Sequence, residues 1–205
     1  MAVTLELLLM RHGKTHWNVD KRYLGHSDIS ITREARAELI PLRRQLIGRT
    51  FSKVACSDLK RCQESLAFVA PELLDVAIYD NRLREMDFGD WEGKTYEELN
   101  GLPLYCEWLD HPQAVFPPNG EAWDLFQARI RDFLNSLIPL TFEDRRDRTI
   151  PSVFVVTHGG VIRQLITMSV PQLSFWDMSV EPGSLVRLLL TLDDGCWTGT
   201  LHSEY

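Results

Sequence analysis

Val3-Thr4-Leu5-Glu6-Leu7-Leu8-Leu9-Met10 runs without interruption into Arg11-His12-Gly13. An apolar run this short, ended this sharply, reads as a buried strand that empties into a loop. The same grammar recurs in Ser152-Val153-Phe154-Val155-Val156-Thr157, which meets His158-Gly159-Gly160. Between and after these anchors the chain alternates. Phe51 to Cys56 and Val76 to Tyr79 read as strands. Thr32 to Leu46, a stretch capped by Ser57-Asp58 and running to Val69, Ala122 to Leu137 and Val161 to Met168 read as helices, with Pro71 stopping the second. Thr95 to Leu99 is a helical turn, and Pro103 to Pro118 an excursion rich in proline and tryptophan. Two late strands, Leu185 to Leu192 and Trp197 to His202, flank the hairpin-type turn Asp193-Asp194-Gly195. Alternating strands and helices predict an α/β fold, a three-layer sandwich with a mostly parallel central sheet. Neither a repeat nor a linker divides the chain, so residues 1–205 are expected to form a single domain.

Composition narrows the function. The chain has 205 residues, 44% of them hydrophobic, and 22 Lys and Arg against 29 Asp and Glu give a net charge of −7. A field of that sign does not draw in nucleic acid or an anionic membrane. Cys56, Cys62, Cys106 and Cys196 show no CxxC pair or ligand spacing and read as reduced thiols. Met1 to Met10 carries Glu6 and lacks the basic flank of a secretion signal, so a cytoplasmic location is expected. No His, Asp or Glu cluster has metal-ligand spacing, and neither a metal nor another cofactor is expected. Oligomeric state is not legible.

In an open α/β sheet the functional loops leave the carboxyl ends of the strands. Two of the strongest strands end there in a histidine beside glycine, one preceded by Arg11, and a second arginine, Arg61, follows the second strand. Guanidinium groups match phosphate oxygens in a planar fork and spread their charge. An unprotonated imidazole beside them can attack a bound phosphoryl group in line, giving a phosphohistidine without a metal. The leaving oxygen then needs a proton. Leu83-Arg84-Glu85-Met86-Asp87-Phe88-Gly89-Asp90-Trp91-Glu92-Gly93 follows the third strand and offers Glu85 or Asp87, with Phe88 and Trp91 pointing to a shaped site. His16, His26, His111 and His202 show no partner pattern and read as surface or structural residues. Arg145-Arg146 falls in a charged run, Glu143 to Arg148, that reads as a solvated loop. Trp108, Trp123 and Trp176 read as core or pocket wall.

Leu9-Met10-Arg11-His12-Gly13-Lys14-Thr15 with Asn18, then Ser57 to Arg61, Glu85 to Gly93 and His158-Gly159-Gly160, resembles in order the signature of the histidine phosphatase superfamily, the phosphoglycerate mutase-like fold. The resemblance implies His12 as nucleophile and Arg11, Arg61 and His158 as the phosphate pocket. It implies Glu85 as proton donor, with Asp87 left a local structural role. Thr15, Asn18 and Gly25 fall where members contact phosphate or substrate. Lys14 stands where glutamate is commonest and adds a charge beside the pocket; Ala122 stands where a serine is frequent, removing a hydroxyl.

The resemblance implies a phosphomonoesterase acting on a small phosphorylated metabolite. Resemblance to the cofactor-dependent mutases would imply a longer insertion after the acid, carrying a paired-arginine substrate clamp, and an asparagine where Gly160 stands. A non-catalytic phospho-ligand module is the remaining alternative, and the intact set of His12, Arg11, Arg61, Glu85 and His158 speaks against it. Chain size, the double glycine and Pro117-Pro118-Asn119-Gly120-Glu121 most resemble the α-ribazole phosphatase branch, whose members remove a phosphate in cobalamin biosynthesis. A lid of residues 94–121, with Trp91 and Trp108, would suit a flat benzimidazole. Broad-specificity and sugar-phosphate phosphatases of the superfamily fit the same residues.

Overall fold

The computed structural model describes residues 3–142 and 149–204. Strands β1 (Val3–Arg11), β2 (Lys53–Cys56), β3 (Ala77–Tyr79), β4 (Ser152–Thr157), β5 (Leu185–Asp193) and β6 (Cys196–Glu204) form one sheet in the order β3-β2-β4-β1-β5-β6. The pairs β1–β4, β4–β2 and β2–β3 are parallel, while β5 and β6 add an antiparallel edge. The expected mostly parallel sheet is therefore present. Register matters most at the centre. Met10 lies opposite Val156 and Arg11 opposite Thr157, so the two histidines leave neighbouring strands side by side. The His12 amide donates to Thr157 O at 3.0 Å and locks that pairing.

The helices, in chain order, are α1 (His16–Val19), α2 (Arg33–Glu38), α3 (Ile40–Leu46), α4 (Lys60–Val69), α5 (Tyr96–Leu99), α6 (Pro103–Asp110), α7 (Trp123–Asn135), α8 (Ile138–Phe142) and α9 (Gly159–Ser169). Alternation along β1 builds the three layers. Leu5, Leu7 and Leu9 pack with Phe126, Ile130 and Phe133 of α7 and with Ile162 and Leu165 of α9. Leu8 and Met10 face the other way, onto Ala35, Leu42, Leu46 and Leu66. A third, smaller cluster of Trp91, Leu99, Tyr105 and Trp108 lies beneath the segment between β3 and α7. Among the described residues no helix is long and apolar enough to cross a membrane.

Several expectations need correction. The helix expected over residues 32–46 is two helices that meet at Leu39. Pro41 explains the break, because it has no N–H to donate and its ring crowds the carbonyl one turn back. The N-cap of α4 is Leu59, not Ser57 or Asp58: the Leu59 amide donates weakly to Ser57 Oγ at 3.4 Å, the first helical amide, Lys60 N, donates to Asp28 Oδ1 at 2.7 Å, and Asp58 pairs with Arg84. The excursion after Pro103 contains α6, which starts with that proline in its first turn, where a missing N–H costs nothing. Glu143 to Arg148, with Arg145-Arg146, lies outside the described residues. The hairpin behaves as expected: Asp194 and Gly195 both take positive φ, 47° and 78°, as a tight two-residue turn requires.

Candidate active site

Four strand ends converge. His12 follows β1, Ser57 follows β2, Glu85 follows β3 and His158 follows β4. His12 is 2% exposed, and its ring meets that of His158 edge to face with centroids 5.1 Å apart. His12 Nδ1 lies 2.8 Å from Gly13 O. A carbonyl only accepts, so Nδ1 carries the proton and Nε2 keeps its lone pair. Burial, then the charges of Arg61 and Arg11, hold the imidazole well below the usual histidine pKa, so it is neutral. Gly13 N donates to Ser65 Oγ at 2.9 Å, and Ser65 Oγ donates to Arg61 O at 2.6 Å, which ties the histidine loop to α4.

Arg61 is fully buried and held on three sides. Its Nε donates to His158 Nδ1 at 3.2 Å, its Nη1 to Ser27 O at 2.8 Å and its Nη2 to Gly25 O at 2.6 Å. Because a guanidinium only donates, His158 Nδ1 accepts, and its proton sits on Nε2, 2.9 Å from Ser57 Oγ. Burial and the Arg61 charge likewise hold His158 well below the ordinary value. Arg11 lies against the start of α9, donates through Nη1 to Val180 O, and leaves its buried Nε without a partner. Two desolvated guanidinium groups thus flank a neutral imidazole with an available nitrogen. That arrangement suits an anion with tetrahedral oxygens.

The Glu85 carboxylate lies against the first turn of α9. Its Oε2 accepts from Gly160 N at 2.9 Å and its Oε1 from Met86 N at 3.0 Å. A Cβ at residue 160 would collide with Oε1, so the glycine makes room for the carboxylate. Asp87 is turned away: it accepts from Gly89 N at 2.8 Å and pairs with His26, consistent with a local structural role. The His26 ring bridges Asp87 and Glu85 O, and is structural as expected.

The residues carried by resemblance alone divide. Gly25 reaches the site through its carbonyl on Arg61, and a Cβ there would strike Met86 O and Glu92. Thr15 and Asn18 cap α1 reciprocally, with Asn18 Oδ1 accepting from Thr15 N and Oγ1, each at 3.1 Å. Asn18 also borders a surface hollow with Lys21, Arg22 and Tyr96. Lys14 does not charge the pocket; its Nζ pairs with Glu38 at 3.0 Å. Trp91 is a correction too: it is buried in the small aromatic cluster and does not line the cleft.

That cleft opens beside Glu85 and Gly160 and is walled by Phe88, Trp108, Trp123, Phe126, Phe175 and Trp176. Four supporting residues escaped the sequence. Glu92 accepts from His26 N at 2.6 Å and Ser27 N at 2.7 Å, fixing the loop whose carbonyls hold Arg61. Arg129 pairs with Glu121 and donates to the carbonyls of Arg82, Arg84 and Glu85, clamping the acid loop from α7. Ser65 sat on the buried face of an amphipathic helix four residues after Arg61, a signal that was available. Arg163 lines the cleft, and nothing in the spacing distinguished it from a surface charge.

Comparison with known proteins gives the family. The sequence profile of the histidine phosphatase superfamily (branch 1) matches residues 7–203. The adenosylcobalamin/alpha-ribazole phosphatase of Escherichia coli K12 is 30% identical over 199 residues, covering 95% of this chain and 88% of the relative. A broad-specificity phosphatase of Saccharomyces cerevisiae is 30% identical over 79% of this chain and 69% of its own length. The crystal structure of the alpha-ribazole phosphatase from Shigella flexneri superposes with a TM-score of 0.81 at 27% identity, covering 98% of this chain and 96% of that one. With the phosphoglycerate mutase-like fold and the profile match both spanning nearly its whole length, the chain belongs to the histidine phosphatase superfamily, branch 1, and is a phosphatase.

Proposed function

We propose that the protein is a metal-independent phosphomonoesterase that works through a phosphohistidine on His12. The reading rests on one observation above all: the Nδ1 bond to Gly13 O leaves Nε2 unprotonated between two buried guanidinium groups. In the first step Nε2 attacks phosphorus and the bond to the leaving oxygen breaks. Arg11 and Arg61 balance the charge on the transferring oxygens, and His158 offers them the Nε2–H it shares with Ser57. Glu85 acts as general acid and gives a proton to the departing alkoxide. In the second step the same carboxylate takes a proton from water, which attacks the phosphohistidine and releases phosphate. Atoms and charges balance with no metal or redox partner.

The substrate we propose is a small metabolite whose leaving alcohol carries a flat ring, with α-ribazole 5′-phosphate the first candidate. Support comes from the aromatic wall of the cleft and from the activities named for the relatives above. Broad-specificity hydrolysis is the second reading, favoured by the yeast relative. Steady-state kcat/KM over a panel of phosphomonoesters, with chelator present, tests both. Turnover that persists in chelator, with α-ribazole 5′-phosphate among the best substrates, is the expected result. A flat profile across the panel selects the second reading, and activity that appears only with added metal overturns the mechanism.

A further inference from the structure

One cation in the cleft has no assigned task. Arg163 lies in the second turn of α9, with its guanidinium carbon 4.3 Å from the Phe175 ring centroid and 6.0 Å from that of Trp176. Arg82, Arg84 and Arg129 are engaged with Asp80, Asp58 and Glu121, and Arg11, the cation that feels the Arg163 charge, belongs to the phosphate pocket. Among the described residues Arg163 has no ion pair, and its one side-chain hydrogen bond is a 3.4 Å contact from Nε to Gly159 O within its own helix. Burial pushes the guanidinium below its ordinary pKa, and the Glu85 charge only partly opposes this. A desolvated cation carries a free-energy cost that a stacked ring offsets only in part.

Position says what offsets the rest. Arg163 lines the same cleft as Glu85 and Gly160, and Glu85 marks where the leaving oxygen departs. The ring of Phe175 occupies one face of the guanidinium, so hydrogen bonding is left to the N–H edge. The other walls are apolar or aromatic: Trp108, Leu109, Trp123 and Phe126. Among the described residues, a leaving group in this space therefore meets flat, mostly apolar surfaces, including the Tyr23 ring, and the donor fork of Arg163.

We propose that Arg163 is a specificity-determining residue that reads a hydrogen-bond acceptor on the leaving alcohol. The inference rests on the phosphomonoesterase reading and adds the chemistry by which the leaving group is chosen. The acceptor is a lone pair of a hydroxyl, ring nitrogen or carboxylate, and a bare hydrocarbon ring does not supply it.

The test compares wild type, Arg163→Met and Arg163→Lys on naphthyl phosphate, a ribofuranoside phosphate and phosphoglycerate. Methionine keeps the stem and a good helix former while removing every donor. A hydrogen bond to a charged group corresponds to a loss of roughly ten-fold or more in kcat/KM. That loss is expected for Arg163→Met on the ribofuranoside phosphate, on phosphoglycerate or on both, mainly through KM. Naphthyl phosphate is expected to stay within about three-fold. Arg163→Lys, which keeps charge without the planar fork, recovers part of the loss and stands in should the methionine variant fail to fold. Which acceptor-bearing ester suffers tells a neutral acceptor from a carboxylate. Equal losses on all three esters, or no loss on any, overturn the proposal. Wild-type turnover of naphthyl phosphate tests the phosphatase reading separately, since that ester has no acceptor beyond the phosphate.

Discussion

At the scale of single residues, the site depends on which nitrogen of each histidine carries a proton and on a missing side chain. Gly160 is required by the Glu85 carboxylate, which occupies the space of its Cβ. Gly160→Ala collides only with the end of a flexible side chain, so the fold should survive while the acid moves. Misplacing a catalytic group by about 1 Å costs roughly a hundred-fold, and kcat is expected to fall by that order with KM little changed. Steady-state kinetics with a thermal melt as control checks it; unchanged kcat would show that Glu85 does not need this seat. His12, His158 and Arg11 were legible in the sequence, because strand ends and glycine turns announce themselves locally; Arg61 alone reads as a helix charge, and Glu85 stood level with Asp87 until the family resemblance chose between them. Arg129, Glu92 and Arg163 were not legible, because each acts across the fold, from a position that locally reads as a surface charge.

At the scale of elements, the tryptophans of the acid loop and of the stretch between α9 and β5 have two jobs that sequence could not separate. Trp91, 2% exposed, packs against Tyr105 and Trp108 of α6, whereas Trp176, 56% exposed, forms part of the cleft wall. Trp91→Ala should therefore cost about 3–5 kcal/mol of stability, seen in denaturant unfolding. Trp176→Ala should leave stability nearly unchanged and raise KM for a ring-bearing substrate by roughly two- to ten-fold. The reverse pattern would contradict the assignment of walls. Strands β1 and β4 were readable from apolar runs, and α7 from its amphipathic period. The split of α2 from α3 turned on Pro41, and α6 on the fact that a proline in a first turn starts a helix as readily as it stops one.

At the scale of the whole molecule, a chain of net charge −7 builds a local cationic pocket for an anionic substrate. Burying His12 and His158 beside Arg61 has a consequence for stability. Both are held neutral, below the ordinary histidine pKa, in the folded state. Above about pH 6.5 both folded and unfolded chains carry them neutral. As pH falls below that value the unfolded chain binds protons that the folded chain refuses, so stability falls, by up to about 1.4 kcal/mol per pH unit for each histidine. Urea unfolding from neutral to mildly acidic pH should show this slope, and His158→Gln should flatten it by about one proton. An unchanged slope in the variant would mean that His158 is charged in the folded protein.

The most direct measurement is acid-free quenching of the protein during turnover of a good phosphomonoester, followed by peptide mass spectrometry under alkaline conditions that preserve phosphohistidine. The phosphohistidine mechanism predicts one added phosphoryl group on the peptide containing His12, labile in acid and absent from His12→Ala, which should also be inactive. Turnover with no phosphorylated peptide, or with the phosphoryl group on any other residue, would contradict it.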